Sequence, residues 1–267
     1  MAKRPPPRTA LVTGASSGIG AALAERLSHR GIEVWLAARR KEVLEQQVAR
    51  ITASGGRAHA LALDIAQADA TYEALSRLDE QTGGIDLVVA NAAIAGGESA
   101  VGLADGSWRS VRDILHTNLI GSAATVMPFI PRMLARGHGH LVAISSLAAD
   151  APNPRAAAYG ASKAGLTFFF DTADIELRPR GIDVTIIHPG FVRTPSLEGL
   201  PDLDTLPFVV PLDRAARIID RAIQKRARLV RFPWTMSLLA LLPQILPRFI
   251  SHPLILRVTK APTEKKR

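Results

Sequence analysis

The chain has 267 residues, 47% hydrophobic and 21% charged, with a formal net charge of +9. That composition excludes a disordered or fibrous protein, and the absence of cysteine excludes disulfides and thiolate metal centres. The charge sits at the ends: the first eight residues carry three cations (Lys3, Arg4, Arg8), and residues 248–267 carry six against the single Glu264. The middle is nearly neutral and offers no basic stripe for DNA or RNA, so no nucleic-acid partner is expected. The opening Met-Ala-Lys-Arg-Pro-Pro-Pro-Arg lacks the apolar stretch of a secretory signal, and a cytoplasmic location is the expectation.

After a basic tail over residues 1–8, short apolar runs alternate with helical patterns. Strands are predicted at 9–13, 33–37, 58–63, 87–90, 140–145 and 183–188, with a further one at 229–232. Helices are predicted at 18–30, 41–53, 67–82, 107–136, 155–178 and 212–228. Parallel strands need long crossovers, so this rhythm implies an α/β fold: a doubly wound parallel sheet of about seven strands with helices on both faces. One domain over residues 9–232 is expected. It includes a proline-rich, acidic segment at 191–211, which is expected to be mobile and to cover the site. Residues 233–267 form an extension with a basic tail. Its uncharged run, 232–247, is expected to be broken by Pro243 and Pro247 and falls short of the roughly 20 residues a spanning helix needs. Two destinations suit it: packing on its own domain or a second subunit, or lying on a membrane surface, which would make the protein peripheral to a membrane.

The loop Thr13-Gly14-Ala15-Ser16-Ser17-Gly18-Ile19-Gly20 joins the first strand to the first helix. Glycines let the main chain turn tightly and approach a pyrophosphate, whose charge a helix N-terminus welcomes. Selection between dinucleotides is read at the end of the second strand, Ala37-Ala38-Arg39-Arg40. Ala38 cannot bind ribose hydroxyls as a carboxylate would, while arginine makes bidentate bonds to phosphate. Arg39, helped by Arg40 and Ser17, therefore predicts NADP rather than NAD.

Tyr159 and Lys163 are four residues apart in a predicted helix, which puts a phenol and an ammonium on one face. Ser146 lies thirteen residues before the tyrosine, next to a rival, Ser145. Alternation at a strand end lets only one of the two face a cleft. The seven histidines are scattered without metal-ligand spacing, and no metal is expected. His138 and His140 read as turn residues before a strand, and His188 as a packed strand end.

These residues resemble the short-chain dehydrogenase/reductase family over residues 9–194. The glycine motif matches residues 13–20, Asn-Ala-Ala matches Asn91, Ala92 and Ala93, and the Asn-Ser-Tyr-Lys set matches Asn118, Ser146, Tyr159 and Lys163. Asp64, followed by Ile65, is similar to the family's adenine-side acid. Pro189 and Gly190, with Val192 and Thr194, are similar to its nicotinamide-contacting segment. The resemblance implies a Rossmann-type fold and selects Ser146 over Ser145. It also implies an Asn118 that positions a water relaying protons to Lys163, and a homodimer or homotetramer built through the helix of Tyr159.

In such a scheme Tyr159 is the general acid for carbonyl reduction and the base in reverse. Lys163 and the oxidised nicotinamide are expected to depress its pKa, ordinarily about 10. Ser146 holds the substrate oxygen. Phe191, Leu197, Leu200, Leu203, Leu206 and Phe208, with Trp108 as a wall, suggest an apolar pocket for a lipophilic carbonyl or alcohol. Two rivals stand beside this reading: a catalytically silent NADP-binding sensor, and a nucleotide-sugar epimerase, which the glycine spacing disfavours.

Overall fold

The fold is described by a computed structural model over residues 4–94, 107–154, 156–195 and 208–259. In chain order it runs β1 (Thr9–Thr13), α1 (Gly18–His29), β2 (Glu33–Ala38), α2 (Lys41–Ala53), β3 (Ala58–Ala62), α3 (Ala68–Thr82) and β4 (Leu87–Ala90). It continues through α4 (Trp108–Leu115), α5 (Gly121–Val126), α6 (Ile130–Arg136), β5 (Gly139–Ile144), α7 (Ala157–Leu177) and β6 (Ile182–Pro189). The last elements are β7 (Val192–Arg193), β8 (Val210–Pro211), α8 (Leu212–Lys225), β9 (Leu229–Phe232), α9 (Trp234–Ile245) and α10 (Arg248–Thr259).

Seven strands form one parallel sheet in the order β3-β2-β1-β4-β5-β6-β9. The central strands β4, β5 and β6 are buried at every position, as strands covered on both faces must be. One apolar layer packs α1, α2 and α8 on one face, through Leu23, Leu27, Leu44, Ile219 and Ile223. The other packs α3, α6 and α7, through Leu75, Met133, Leu166 and Phe170. The strand order reverses between β1 and β4, and at such a switch point loops diverge and leave a crevice. The site lies there.

Three expectations change in detail. The single helix expected over 107–136 is broken: a π-helical turn, His116–Ile120, separates α4 from α5, and a 3-10 turn, Met127–Phe129, separates α5 from α6. Pro128 and Pro131 remove amide donors around the second break. The prolines were expected to break the 232–247 run, yet α9 continues past Pro243, because only its final residues lie beyond the lost donor. His140 belongs to β5 rather than to a turn; it is buried, bonds Thr185 Oγ1 at 2.8 Å, and burial pushes it down to about 3. Of the segment expected to be mobile over the site, residues 196–207 lie outside the described residues, and its two ends pair as β7 and β8.

Candidate active site

The glycine loop is tied to β4 through one hydroxyl. Thr13 Oγ1 accepts from the amides of Asn91 (3.1 Å) and Ala92 (3.2 Å), and Asn91 Nδ2 donates to Thr13 O at 2.8 Å. Close approach is why two positions must be glycine. A Cβ on Gly14, whose φ is +67°, would sit 2.8 Å from Ala92 Cα, and one on Gly20 would sit 2.5 Å from Gly14 O. Ser17 caps α1 without a side-chain bond, so the first amides of α1 have no partner within the helix. Bare amides at the positive end of a helix, beside side-chain-free glycines, fit a pyrophosphate.

The other residues expected to bind the cofactor follow or close the C-terminal ends of β2, β3, β4 and β6. Thr194 Cγ2 lies 3.4 Å from where a Cβ on Gly18 would be. Arg39 and Arg40 are exposed at the end of β2, and Arg40 Nη2 donates to Ser16 Oγ at 3.0 Å. Asp64 Oδ1 accepts from Ala66 N at 3.1 Å, and the following Ile65 is buried, its carbonyl filling the space a Cβ on Gly121 would need. Ala93 follows β4 beside Asn91 and Ala92. Pro189 closes β6, Gly190 N donates to Phe232 O at 2.7 Å, and Val192 is buried in β7.

At the end of β5 the two serines part as alternation requires. Ser145 turns inward: its hydroxyl donates to Lys163 O at 3.0 Å and lies 2.8 Å from Thr167 Oγ1. Ser146 turns the other way, accepts from Ala148 N at 3.1 Å, and hydrogen-bonds the phenol of Tyr159. Lys163 is buried, donates from Nζ to Ile144 O at 2.8 Å, and has Nζ 5.8 Å from the centre of the Tyr159 ring. Ser146, Tyr159 and Lys163 therefore share one corner between β5 and α7.

The depressed tyrosine was expected with oxidised nicotinamide bound; in the chain alone, burial acts in the opposite direction. Burial raises the Tyr159 phenol above 10.0, and the Ser146 bond opposes this only in part. The residue as a whole is half-buried, but the enclosed phenol sets the balance. Burial also brings the Lys163 ammonium down to about 8, and its Nζ is held by Ile144 O. The chain by itself keeps Tyr159 protonated, as suits an acid.

Asn118 sits fully buried in the π-helical turn. Its Oδ1 accepts from Ile94 N at 2.8 Å, and its Nδ2 donates to Ile94 O at 2.9 Å and to Ser162 Oγ at 3.0 Å. Both amide hydrogens are spent, so a water held by Asn118 must use the remaining Oδ1 lone pair or the main-chain carbonyl. Trp108, expected as a wall, is 73% exposed at the start of α4.

Sequence reasoning missed a second polar cluster behind Ser146. Asp150 receives His188 Nδ1 at 2.8 Å and both Arg231 Nε (2.9 Å) and Nη2 (3.0 Å), while Gln244 Nε2 of α9 donates to its carbonyl at 2.6 Å. These partners hold the Asp150 carboxyl down at about 2, against the opposing effect of burial. His188 Nε2 continues to Thr167 Oγ1 at 3.0 Å, and so to Ser145. Partners this far apart in sequence leave no local signal. A cavity of about 590 Å³ lies on the other side of the loop, lined by Ala157, Gly160, Ala161 and Ala164 of α7 and closed by Ile255 and Leu256; none of the four expected catalytic residues lines it.

Among the described residues no three His, Asp or Glu side chains are grouped so as to hold a metal ion. Comparison with known proteins agrees with the fold and the motifs. The family model for short chain dehydrogenases matches residues 8–202. An oxidoreductase of Myxococcus xanthus, described as uncharacterized, is 40% identical over 242 residues, 90% of this chain and 93% of that protein. A metagenomic short-chain oxidoreductase solved with NADP is 29% identical with a TM-score of 0.72, covering 84% of this chain and 94% of that one. A single-residue variant of actinorhodin polyketide ketoreductase solved with NADPH is 26% identical with a TM-score of 0.78, covering 86% and 97%. With the glycine loop at the β1–β4 switch point and the serine, tyrosine and lysine at one corner, the chain belongs to the short-chain dehydrogenase/reductase family of oxidoreductases.

Proposed function

We propose that this oxidoreductase is an NADP(H)-dependent reductase of a lipophilic ketone or aldehyde, also able to run as an alcohol dehydrogenase. The observation that carries the reading is the Ser146–Tyr159 hydrogen bond with Lys163 Nζ 5.8 Å from the tyrosine ring. The loop from Thr13 to Gly20 would hold the pyrophosphate, Arg39 and Arg40 the 2′-phosphate, and Asp64 and Ile65 the adenine side. Asn91, Ala92, Ala93, Pro189, Gly190, Val192 and Thr194 would line the remainder. A bound nicotinamide supplies the hydride that reaches the carbonyl carbon. Support for NADP comes from the two exposed arginines and from the structural relatives solved with NADP and NADPH.

The chain's own part is the proton. Ser146 and Tyr159 both donate to the carbonyl oxygen, and as the C–O π bond breaks the Tyr159 proton moves to that oxygen, leaving an alcohol and a phenolate. Lys163, the nearest cation, steadies the phenolate, and reprotonation arrives by a water held at Asn118. A raised phenol favours reduction at neutral pH, and the oxidation rate should climb with pH as the phenol ionises. The exposed side chains of Phe168 (76%) and Ile175 (77%) on α7 support a homo-oligomer, an assignment that the 28.6 kDa mass of a single chain by light scattering at micromolar concentration would remove.

The test is NADPH oxidation against a panel of lipophilic carbonyls, with Tyr159→Phe beside the wild type. The variant should keep its NADPH affinity and lose about 10²–10⁴-fold in kcat. Turnover close to wild type would remove the mechanism, no turnover with any carbonyl would favour the silent sensor, and equal kcat/KM with NADH would remove the NADP assignment.

A further inference from the structure

We infer that the outer face of α9 and the start of α10 form a docking surface for an anionic lipid bilayer, with the protein lying on the membrane rather than crossing it. This inference is independent of the reaction proposed above.

The helix α9 holds no charged residue, and its two faces differ. Inward, Met236 Sδ lies 3.0 Å from where a Cβ on Gly190 would be, Ser237 is buried, and Gln244 bonds the carbonyl of Asp150. Outward, Trp234, Leu238, Leu242 and Ile245 stand at i, i+4, i+8 and i+11, which is one face of a helix. They are 71%, 57%, 41% and 80% exposed, and Phe249 extends the face at 78%. Half of the large hydrophobic side chains exposed among the described residues fall in α9 and α10. Leaving so much apolar surface in water is costly, so something covers it.

Charge decides between the occupants. From residue 221 to residue 263 the sequence contains no aspartate or glutamate and eight lysines and arginines. Arg226, Arg228 and Arg231 are paired with Asp183, Asp174 and Asp150. Arg248 is exposed beside the apolar face, and Arg257 and Lys260 follow in sequence, then Lys265, Lys266 and Arg267 against Glu264. A twofold contact between two copies through this face would set these cations against their own equivalents. An anionic bilayer attracts them while it takes up the apolar stripe, and tryptophan suits the boundary between headgroups and chains. At twelve residues, about 18 Å long, α9 is too short to span, and no described helix is long and apolar enough to cross a membrane.

The test is co-sedimentation of the full chain with phosphatidylcholine vesicles, with and without phosphatidylserine. Wild-type protein should pellet with the phosphatidylserine vesicles, stay in solution with phosphatidylcholine alone, and be released by high salt. The double variant Leu238→Gln, Ile245→Gln should bind at least about tenfold more weakly, and Arg248→Gln about fivefold more weakly. Both should keep the far-UV spectrum and NADPH affinity of the wild type. Absence of wild-type binding to phosphatidylserine vesicles overturns the inference, as does equal binding by all three proteins. Conversion of an oligomer to a monomer by the double variant, with vesicle binding unchanged, overturns it in favour of a second copy. If the double variant does not fold, the salt dependence and Arg248→Gln carry the decision.

Discussion

At the scale of single residues, orientation separates side chains that look alike. Ser145 and Ser146 are neighbours of the same type, yet one bonds the backbone of α7 and the other bonds Tyr159. Ser146→Ala should lower kcat by about 10²-fold with little change in melting temperature. Ser145→Ala should do the reverse, costing about 1 kcal/mol of stability through the lost buried bond while keeping most turnover. Steady-state kinetics and thermal melts on the pair check this, and loss of turnover confined to Ser145→Ala would reverse the assignment. The residues of this corner were legible in the sequence because spacing and residue type encode them. The upward push that burial gives the tyrosine's pKa was not, since distant segments create that enclosure.

At the scale of elements, helices and strands follow from periodicity, while their breaks follow from contacts. The β-α rhythm placed the strands within a residue or so because buried parallel strands read as short apolar runs between helices. The π-helical turn was not legible, because it serves to hold Asn118 against Ile94 and Ser162, residues 24 and 44 positions away. The Asp150 cluster joins five segments in the same way: the loop after Ser146, α7, the end of β6, β9 and α9. Asp150→Asn leaves His188 and Arg231 facing each other without a counter-charge. It should destabilise the protein by about 3 kcal/mol and lower kcat more than it raises KM for NADPH, because the loop carrying Ser146 loses its anchor. Urea unfolding and kinetics together measure both effects; a variant as stable as wild type would mean the cluster is solvated rather than structural.

At the scale of the whole molecule, a long-range ion pair ties the N-terminal segment to the sheet. Arg4, from the basic N-terminal tail, reaches Asp183 at the start of β6, where Arg178 and Arg226 also converge. These three cations add to the burial that keeps His140 neutral. Folding holds His140 at about 3 against 6.5 unfolded, so between these values the unfolded chain binds a proton that the folded one lacks. Stability should therefore fall as pH falls through that window, by about 2 kcal/mol between pH 6.5 and pH 5 from this group. The Asp150 contribution behaves alike at lower pH: present above 3.8, lost as pH falls toward 2. Urea midpoints at the two pH values, with His140→Gln flattening the difference, check the first statement.

The sequence by itself determined the order of the elements, the parallel sheet, the glycine-rich turn after β1 and the residue types available for chemistry, because each is written in neighbours a few positions apart. Only the tertiary structure decided how Asn118 is spent, what surrounds Asp150 and which side of α9 is left in water. Those depend on groups brought together across some two dozen to nearly a hundred residues, and no local pattern carries the burial and charge such meetings create.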